Sequence, residues 1–252
     1  MDLELKGRVA MVTGASRGLG LAIARALAEE GASLAIGARG AEALEKAAAE
    51  LRELGVPVFA RPVDITVASE AEAFVRETTE RLGPPEILVL NAGGTPPAED
   101  EIGSLQASFE LNATANLRLA RLVVPGMKQQ GYGSILFIAS IWGREAGGRL
   151  VYNAAKAAEI SLAKGLAREL APQGIRVNCL APGSILFPGG SWDRRLKADP
   201  EGIQTFVEQE IPSGRFGRPE EVGWVAAFLV SPKANWVRGA CLTVDGGQSR
   251  AF

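Results

Sequence analysis

Short, largely apolar runs alternate along this chain with longer stretches whose apolar residues recur at helical spacing, and that alternation leaves few folds open. Residues 9–13, 33–37, 56–61, 87–90, 134–139, 175–180 and 242–244 read as strands. Residues 19–30, 41–54, 69–82, 105–130, 152–170 and 219–230 read as helices. A strand that is apolar throughout has both of its faces covered, which is the signature of a parallel sheet between two helical layers. The expected fold is therefore α/β, a doubly wound, Rossmann-like parallel sheet of about seven strands. No Pro/Gly/Ser-rich linker interrupts the alternation, so residues 1–252 read as one domain. The one long irregular stretch, 183–217, follows the sixth strand and is expected to form a substrate lid.

Composition removes several chemistries. The chain contains no histidine, which excludes Ser-His-Asp hydrolysis and ordinary zinc catalysis and leaves Tyr, Lys and carboxylates to move protons. A formal net charge of −2 without a basic stripe argues against nucleic acid as a partner. Cys179 and Cys241 lie in apolar stretches and read as buried free thiols suited to a reducing cytoplasm. The charged segment 1–8 and the brief apolar run after it are neither a signal peptide nor a membrane span.

Ligands of such sheets bind beyond the carboxyl ends of the strands, so chemistry is expected there. After the first strand comes Thr13-Gly14-Ala15-Ser16-Arg17-Gly18-Leu19-Gly20. Its glycines permit a tight turn and let a pyrophosphate approach the backbone at a helix N-terminus. The second strand ends in Gly37-Ala38-Arg39, with no carboxylate to accept the ribose hydroxyls of NAD. Arg39, with Arg17 nearby, suits a 2′-phosphate, which favours NADP(H) over NAD(H). Tyr152 and Lys156 stand one helical turn apart, with Ser140 before them. A free phenol ionises near pH 10 and is a poor base at neutrality. An ammonium about 4–5 Å away, at an effective dielectric near 20, stabilises the phenolate by about 4 kcal/mol. The spacing can thus make a working general acid/base.

Taken in order, these pieces resemble the short-chain dehydrogenase/reductase family almost end to end, in particular its 3-oxoacyl-thioester reductase-like branch. The glycine loop fits, as do Asp64 and Ile65 after the third strand, Asn91-Ala92-Gly93 after the fourth, and Asn112 within Leu111-Asn112-Ala113. Ser140, Tyr152 and Lys156 match the family's catalytic positions, and Pro182-Gly183 and Val244-Asp245-Gly246-Gly247 match its C-terminal pattern. The resemblance implies hydride transfer between nicotinamide and a carbonyl or secondary alcohol. Asn112, Ser140, Tyr152 and Lys156 would be catalytic. Gly14, Ser16, Arg17, Gly18, Leu19, Gly20, Arg39, Asp64, Ile65, Asn91, Ala92, Gly93, Tyr152, Lys156, Pro182, Gly183 and Ile185 would contact the cofactor, and no metal is expected. In this scheme Tyr152 delivers the proton, Lys156 sustains it, and Asn112 holds a water linking Lys156 to solvent. The family also implies a cytoplasmic homotetramer or dimer. Leu90 and Phe187 depart from its pattern, Phe187 standing where a threonine is common. Phe187, Trp192 and Trp142 either wall a substrate pocket or pack lid on core. An NAD-dependent sugar or polyol dehydrogenase and a non-catalytic dinucleotide sensor are the alternatives.

Overall fold

The computed structural model describes residues 1–251. Its strands are β1 (Val9–Thr13), β2 (Ser33–Ala38), β3 (Val58–Pro62), β4 (Ile87–Leu90), β5 (Gly133–Ile138), β6 (Ile175–Pro182) and β7 (Cys241–Val244). The helices are α1 (Gly18–Glu29), α2 (Ala41–Arg52), α3 (Ala68–Leu82), α4 (Glu101–Phe109), α5 (Ala115–Gln130), α6 (Leu150–Leu170), α7 (Ser191–Ala198), α8 (Pro200–Glu210) and α9 (Pro219–Val230). All strands pair in parallel in the order β3-β2-β1-β4-β5-β6-β7. The order reverses between β1 and β4, and the crevice at that switch is where such sheets bind ligands.

Alternation along each strand builds the two apolar layers, because successive side chains leave a sheet on opposite faces. Ala10 and Val12 of β1 join α1, α2 and α9 in one core, while Met11 joins α3, α5 and α6 in the other. Helix α9 approaches α1 closely because Gly223 carries no side chain: a β-carbon there would lie 2.8 Å from the Ala22 carbonyl oxygen.

Two regions differ from the sequence reading. The single helix expected over 105–130 begins earlier and is broken: α4 passes through a π-helical turn at Glu110–Thr114 before α5. The stretch 183–217 is not irregular, since it carries α7 and α8, and Asp199 caps α8 by accepting from the Gly202 N–H at 2.9 Å. Both are short and strongly polar or shallowly packed, α7 burying none of its residues and α8 only Ile203 and Val207, so an apolar-run reading passes over them. Among the described residues, no helix is long and apolar enough to cross a membrane.

Candidate active site

The glycine loop joins β1 to α1 and is pinned to β4 across the switch. The Thr13 hydroxyl accepts from the Asn91 and Ala92 N–H groups, at 3.0 Å each. The Asn91 side-chain amide donates to the carbonyls of Thr13 at 2.9 Å and Gly14 at 3.2 Å. Gly14 and Gly18 take φ of +65° and +57°, values that favour glycine. No side chain caps the N-terminus of α1, and its first turn holds no carboxylate. The result is a backbone-lined, electropositive cradle that fits a pyrophosphate. Ser16 and Leu19 are half-buried and Arg17 is exposed along its rim.

Beyond β2 and β3 lies a cavity of about 530 Å³, lined by Arg39, Arg61, Pro62, Val63, Asp64 and Glu70. Arg61 is tied to Glu77, whereas Arg39 is exposed and makes no salt bridge among the described residues. The Asp64 carboxylate accepts from the N–H and hydroxyl of Thr66 at 3.0 and 2.7 Å. Those bonds, with Arg39 assisting, hold its pKa below the usual value against partial burial. Ile65 is buried in the core, and its carbonyl accepts from Arg118 at 3.4 Å.

The proposed catalytic side chains gather at the ends of β4 and β5. Ser140 follows β5 and is 7% exposed. Its oxygen accepts from the Trp142 N–H at 3.2 Å, which leaves the hydroxyl proton free to donate. Tyr152 is half-buried in the first turn of α6. The Lys156 ammonium lies 5.8 Å from the Tyr152 ring centre and donates to the Ile138 carbonyl at 3.0 Å. Gly93 lies against this ammonium: a β-carbon there would fall 2.8 Å from Lys156 Nζ and 2.6 Å from Asn112 Oδ1.

Asn112 sits in the π-helical turn and is fully buried. Its amide donates to the carbonyls of Gly94 and Ser108, both at 2.7 Å, and its Oδ1 accepts from the Gly94 N–H at 2.9 Å. The side chain is therefore taken up by backbone, which splints the loop after β4.

Two residues at this site carry no motif. Glu159 is fully buried on the same stripe of α6 as Lys156 and binds its ammonium at 2.9 and 3.2 Å. Asn116 of α5 donates to Glu159 Oε1 at 3.1 Å and to the Asn112 carbonyl at 2.8 Å. Burial pushes the Glu159 pKa up to about 7, with Lys156 and Asn116 holding it back. Burial alone would lower the Lys156 pKa, but the charges of Glu159 and Tyr152 outweigh it and the net displacement is upward. The only sequence signal was a carboxylate one turn past Lys156, and on a helix such a charge ordinarily faces water.

Past β6, Pro182 and Gly183 lead into a short parallel bridge between Ile185 and Gly217. The bridge uses the Ser184 carbonyl and the Leu186 N–H, so the N–H and C=O of Ile185 have no partner among the described residues. Phe187 packs against the core. Its ring lies over the glycine loop, where a β-carbon on Gly18 would meet it at 2.6 Å. Trp192 stacks on Phe206 at 4.6 Å and packs against Phe216 at 5.1 Å. A cavity of about 360 Å³ beside this cluster, bounded by Leu186, Ile203, Val207 and Arg218, does not reach Ser140 or Tyr152. Cys179 is a buried free thiol, as expected, whereas Cys241 is only half-buried.

A family model described as enoyl-(acyl carrier protein) reductase matches residues 14–249. The 7α-hydroxysteroid dehydrogenase of Escherichia coli is 36% identical over 98% of this chain and 96% of its own length. The 3-oxoacyl-(acyl-carrier-protein) reductase of Vibrio cholerae is 36% identical over 97% of this chain and 98% of its own. The crystal structure of L-sorbose reductase from Gluconobacter frateurii, complexed with NADPH and L-sorbose, superposes with a TM-score of 0.94 at 35% identity, covering all of both chains. A 7α-hydroxysteroid dehydrogenase complexed with NADH and 7-oxo glycochenodeoxycholic acid superposes at 0.90 and 35% identity, over 100% of this chain and 98% of its own.

Proposed function

This chain belongs to the short-chain dehydrogenase/reductase family, whose members are oxidoreductases acting on carbonyl or alcohol substrates, and from that premise we propose that it is an NADP(H)-dependent reductase of ketones or dehydrogenase of secondary alcohols. The observation that carries the reading is the Lys156 ammonium facing Tyr152 beside Ser140, at the sheet end that also holds the glycine cradle. When bound, a nicotinamide dinucleotide supplies or accepts the hydride. The cradle of Gly14, Gly18 and Gly20 would hold its pyrophosphate, and the cavity at Asp64 its adenosine. The free backbone of Ile185 suits its carboxamide.

Ser140 and Tyr152 donate to the substrate oxygen as it becomes alkoxide-like, in the manner of an oxyanion site. Tyr152 then transfers its proton to that oxygen, and Lys156 stabilises the phenolate left behind. Residues 183–217 act as the substrate lid, in which the Trp192, Phe206 and Phe216 cluster holds α7 and α8 together. Exposed apolar side chains, among them Ile102 and Leu150 near the ends of α4 and α6 and Trp224 and Leu242 on α9 and β7, support a homo-oligomer, and the free thiols Cys179 and Cys241 suit a reducing cytoplasm.

The cofactor preference rests on Arg39, an exposed cation at the end of β2 with no carboxylate at that strand end to bind a free 2′-hydroxyl. Fluorescence titration with NADPH and NADH tests it. The unmutated protein binds NADPH more tightly, and Arg39→Asp weakens NADPH binding by about 10–100-fold while sparing NADH. Tighter binding of NADH by the unmutated protein overturns the preference. The likeness to L-sorbose reductase favours one second reading, a keto-sugar substrate, and a panel of ketoses beside 3-oxoacyl thioesters separates the two.

A further inference from the structure

We propose that Glu159, clamped by Asn116, is a positioning residue that keeps Lys156 an ammonium and aims it at Tyr152. The inference rests on the assignment of Tyr152 and Lys156 to proton transfer made above. Lys156 is 3% exposed and Glu159 is 0% exposed, so neither charge is solvated by bulk water. A buried lysine without a counter-charge tends to lose its proton. A neutral amine behind Tyr152 would no longer stabilise the phenolate.

The geometry supplies that counter-charge in a fixed place. Both Glu159 oxygens face Nζ, at 2.9 and 3.2 Å. The third contact, to the Ile138 carbonyl, comes from the end of β5 and sets the direction of the side chain. Glu159 is itself anchored from α5 by Asn116, whose amide also reaches the Asn112 carbonyl. A continuous protein path, Asn112–Asn116–Glu159–Lys156, thus runs where the sequence reading expected a water held by Asn112. Asn116 Oδ1 is buried without a partner, which leaves the path a polar atom for a water on its far side.

Other groups near the pair do not replace it. Cys179 of β6 faces both Lys156 and Glu159. Its thiol donates to the Leu180 carbonyl at 3.5 Å, and the neighbouring Cys241 thiol together with burial holds Cys179 well above the usual thiol range. A thiol held up in this way stays neutral at the pH where Glu159 ionises. Tyr152 is the remaining titratable neighbour, from α6 itself.

The test is the titration of Lys156, followed by carbon-13 NMR of its ε-carbon in the whole protein and assigned with Lys156→Met. The wild-type ammonium is expected to titrate above the ordinary lysine range. In Glu159→Gln the midpoint falls by roughly 1–3 pH units, and in Glu159→Asp, which keeps the charge, it returns about halfway or more. The alkaline limb of alcohol oxidation moves down with it in Glu159→Gln. A Glu159→Gln profile that drops equally at every pH, with Lys156 unmoved, overturns the inference and leaves Glu159 a packing residue. Should Glu159→Gln fail to fold, a wild-type Lys156 that is neutral at the pH of turnover still overturns it. If Tyr152→Phe and Lys156→Met both keep full activity, the proton-transfer assignment fails, while the NMR midpoints still judge the role of Glu159.

Discussion

At the scale of single residues, the site divides into groups that local spacing reveals and groups that only packing reveals. Tyr152 and Lys156 are legible because a helix places i and i+4 on one face, and Ser140 because it ends an apolar strand. Glu159 is illegible because a carboxylate in an Ala-rich helix reads as solvated surface. Its burial depends on α5 supplying Asn116. Position alone left Phe187 open between walling a substrate pocket and packing lid on core, and the bare Gly18 leaves room for its ring on the glycine loop. Two outcomes belong here. Ser140→Ala removes one of the two donors to the developing alkoxide and lowers turnover by about 10²–10³. The second concerns pH. The folded pKa of Glu159 is raised from 4.5 to about 7, so the folded chain holds a proton there that the unfolded chain has released. That contribution is full below pH 4.5, declines as pH rises, and is gone above about 7. Denaturant unfolding at pH 5 and pH 8 should show the stability of the wild type relative to Glu159→Gln falling between them by about 3 kcal/mol. A difference that rises instead places the folded pKa below the unfolded one.

At the scale of elements, the strands were legible to within a residue or two because a buried parallel strand is largely apolar on both faces. The helices were legible wherever one face meets the sheet. The π-helical turn at Glu110–Thr114 was not, since one extra residue in a turn leaves the apolar spacing on either side intact. Its effect is local and functional, for it turns Asn112 toward Gly94 and Asn116 toward Glu159. Helices α7 and α8 escaped because α7 buries none of its residues and α8 only Ile203 and Val207. A different element is held by one buried cation. Arg176 of β6 donates to the carbonyls of Leu229, Val230, Ser231 and Ala234, at 2.7–3.3 Å, where α9 ends. A cation there satisfies the last carbonyls of the helix and complements its dipole. Arg176→Ala leaves those carbonyls unpaired around a cavity and should cost about 3 kcal/mol or more, read from the shift of the urea midpoint. A loss under about 1 kcal/mol means water replaces the guanidinium at little cost.

At the scale of the whole molecule, the sheet brings together segments distant in sequence. The glycine loop, Asn91, Ser140 and Tyr152 all lie at the carboxyl edge, and residues 191–210 lie past the same edge of β6. The class of fold followed from the alternation of apolar runs and helices, but the packing of Trp192, Phe206 and Phe216 between α7 and α8 depends on tertiary contacts that no spacing encodes. Exposed Trp224 and Leu242, 56% and 43% accessible, are expected to be covered in a homo-oligomer. Light scattering should give a mass that is a multiple of 26.4 kDa, and a monomeric mass contradicts that expectation. Tyr152 is expected to transfer the proton in an NADP(H)-dependent carbonyl reduction. The most direct test follows the oxidation of NADPH by wild type and Tyr152→Phe across a panel of ketones, 3-oxoacyl thioesters and ketoses. The account predicts turnover of at least one carbonyl by the wild type and a loss of about 10²–10⁴-fold in Tyr152→Phe, with NADPH affinity retained. Undiminished turnover in Tyr152→Phe, or tight NADPH binding by a wild type that reduces none of the panel, would contradict it.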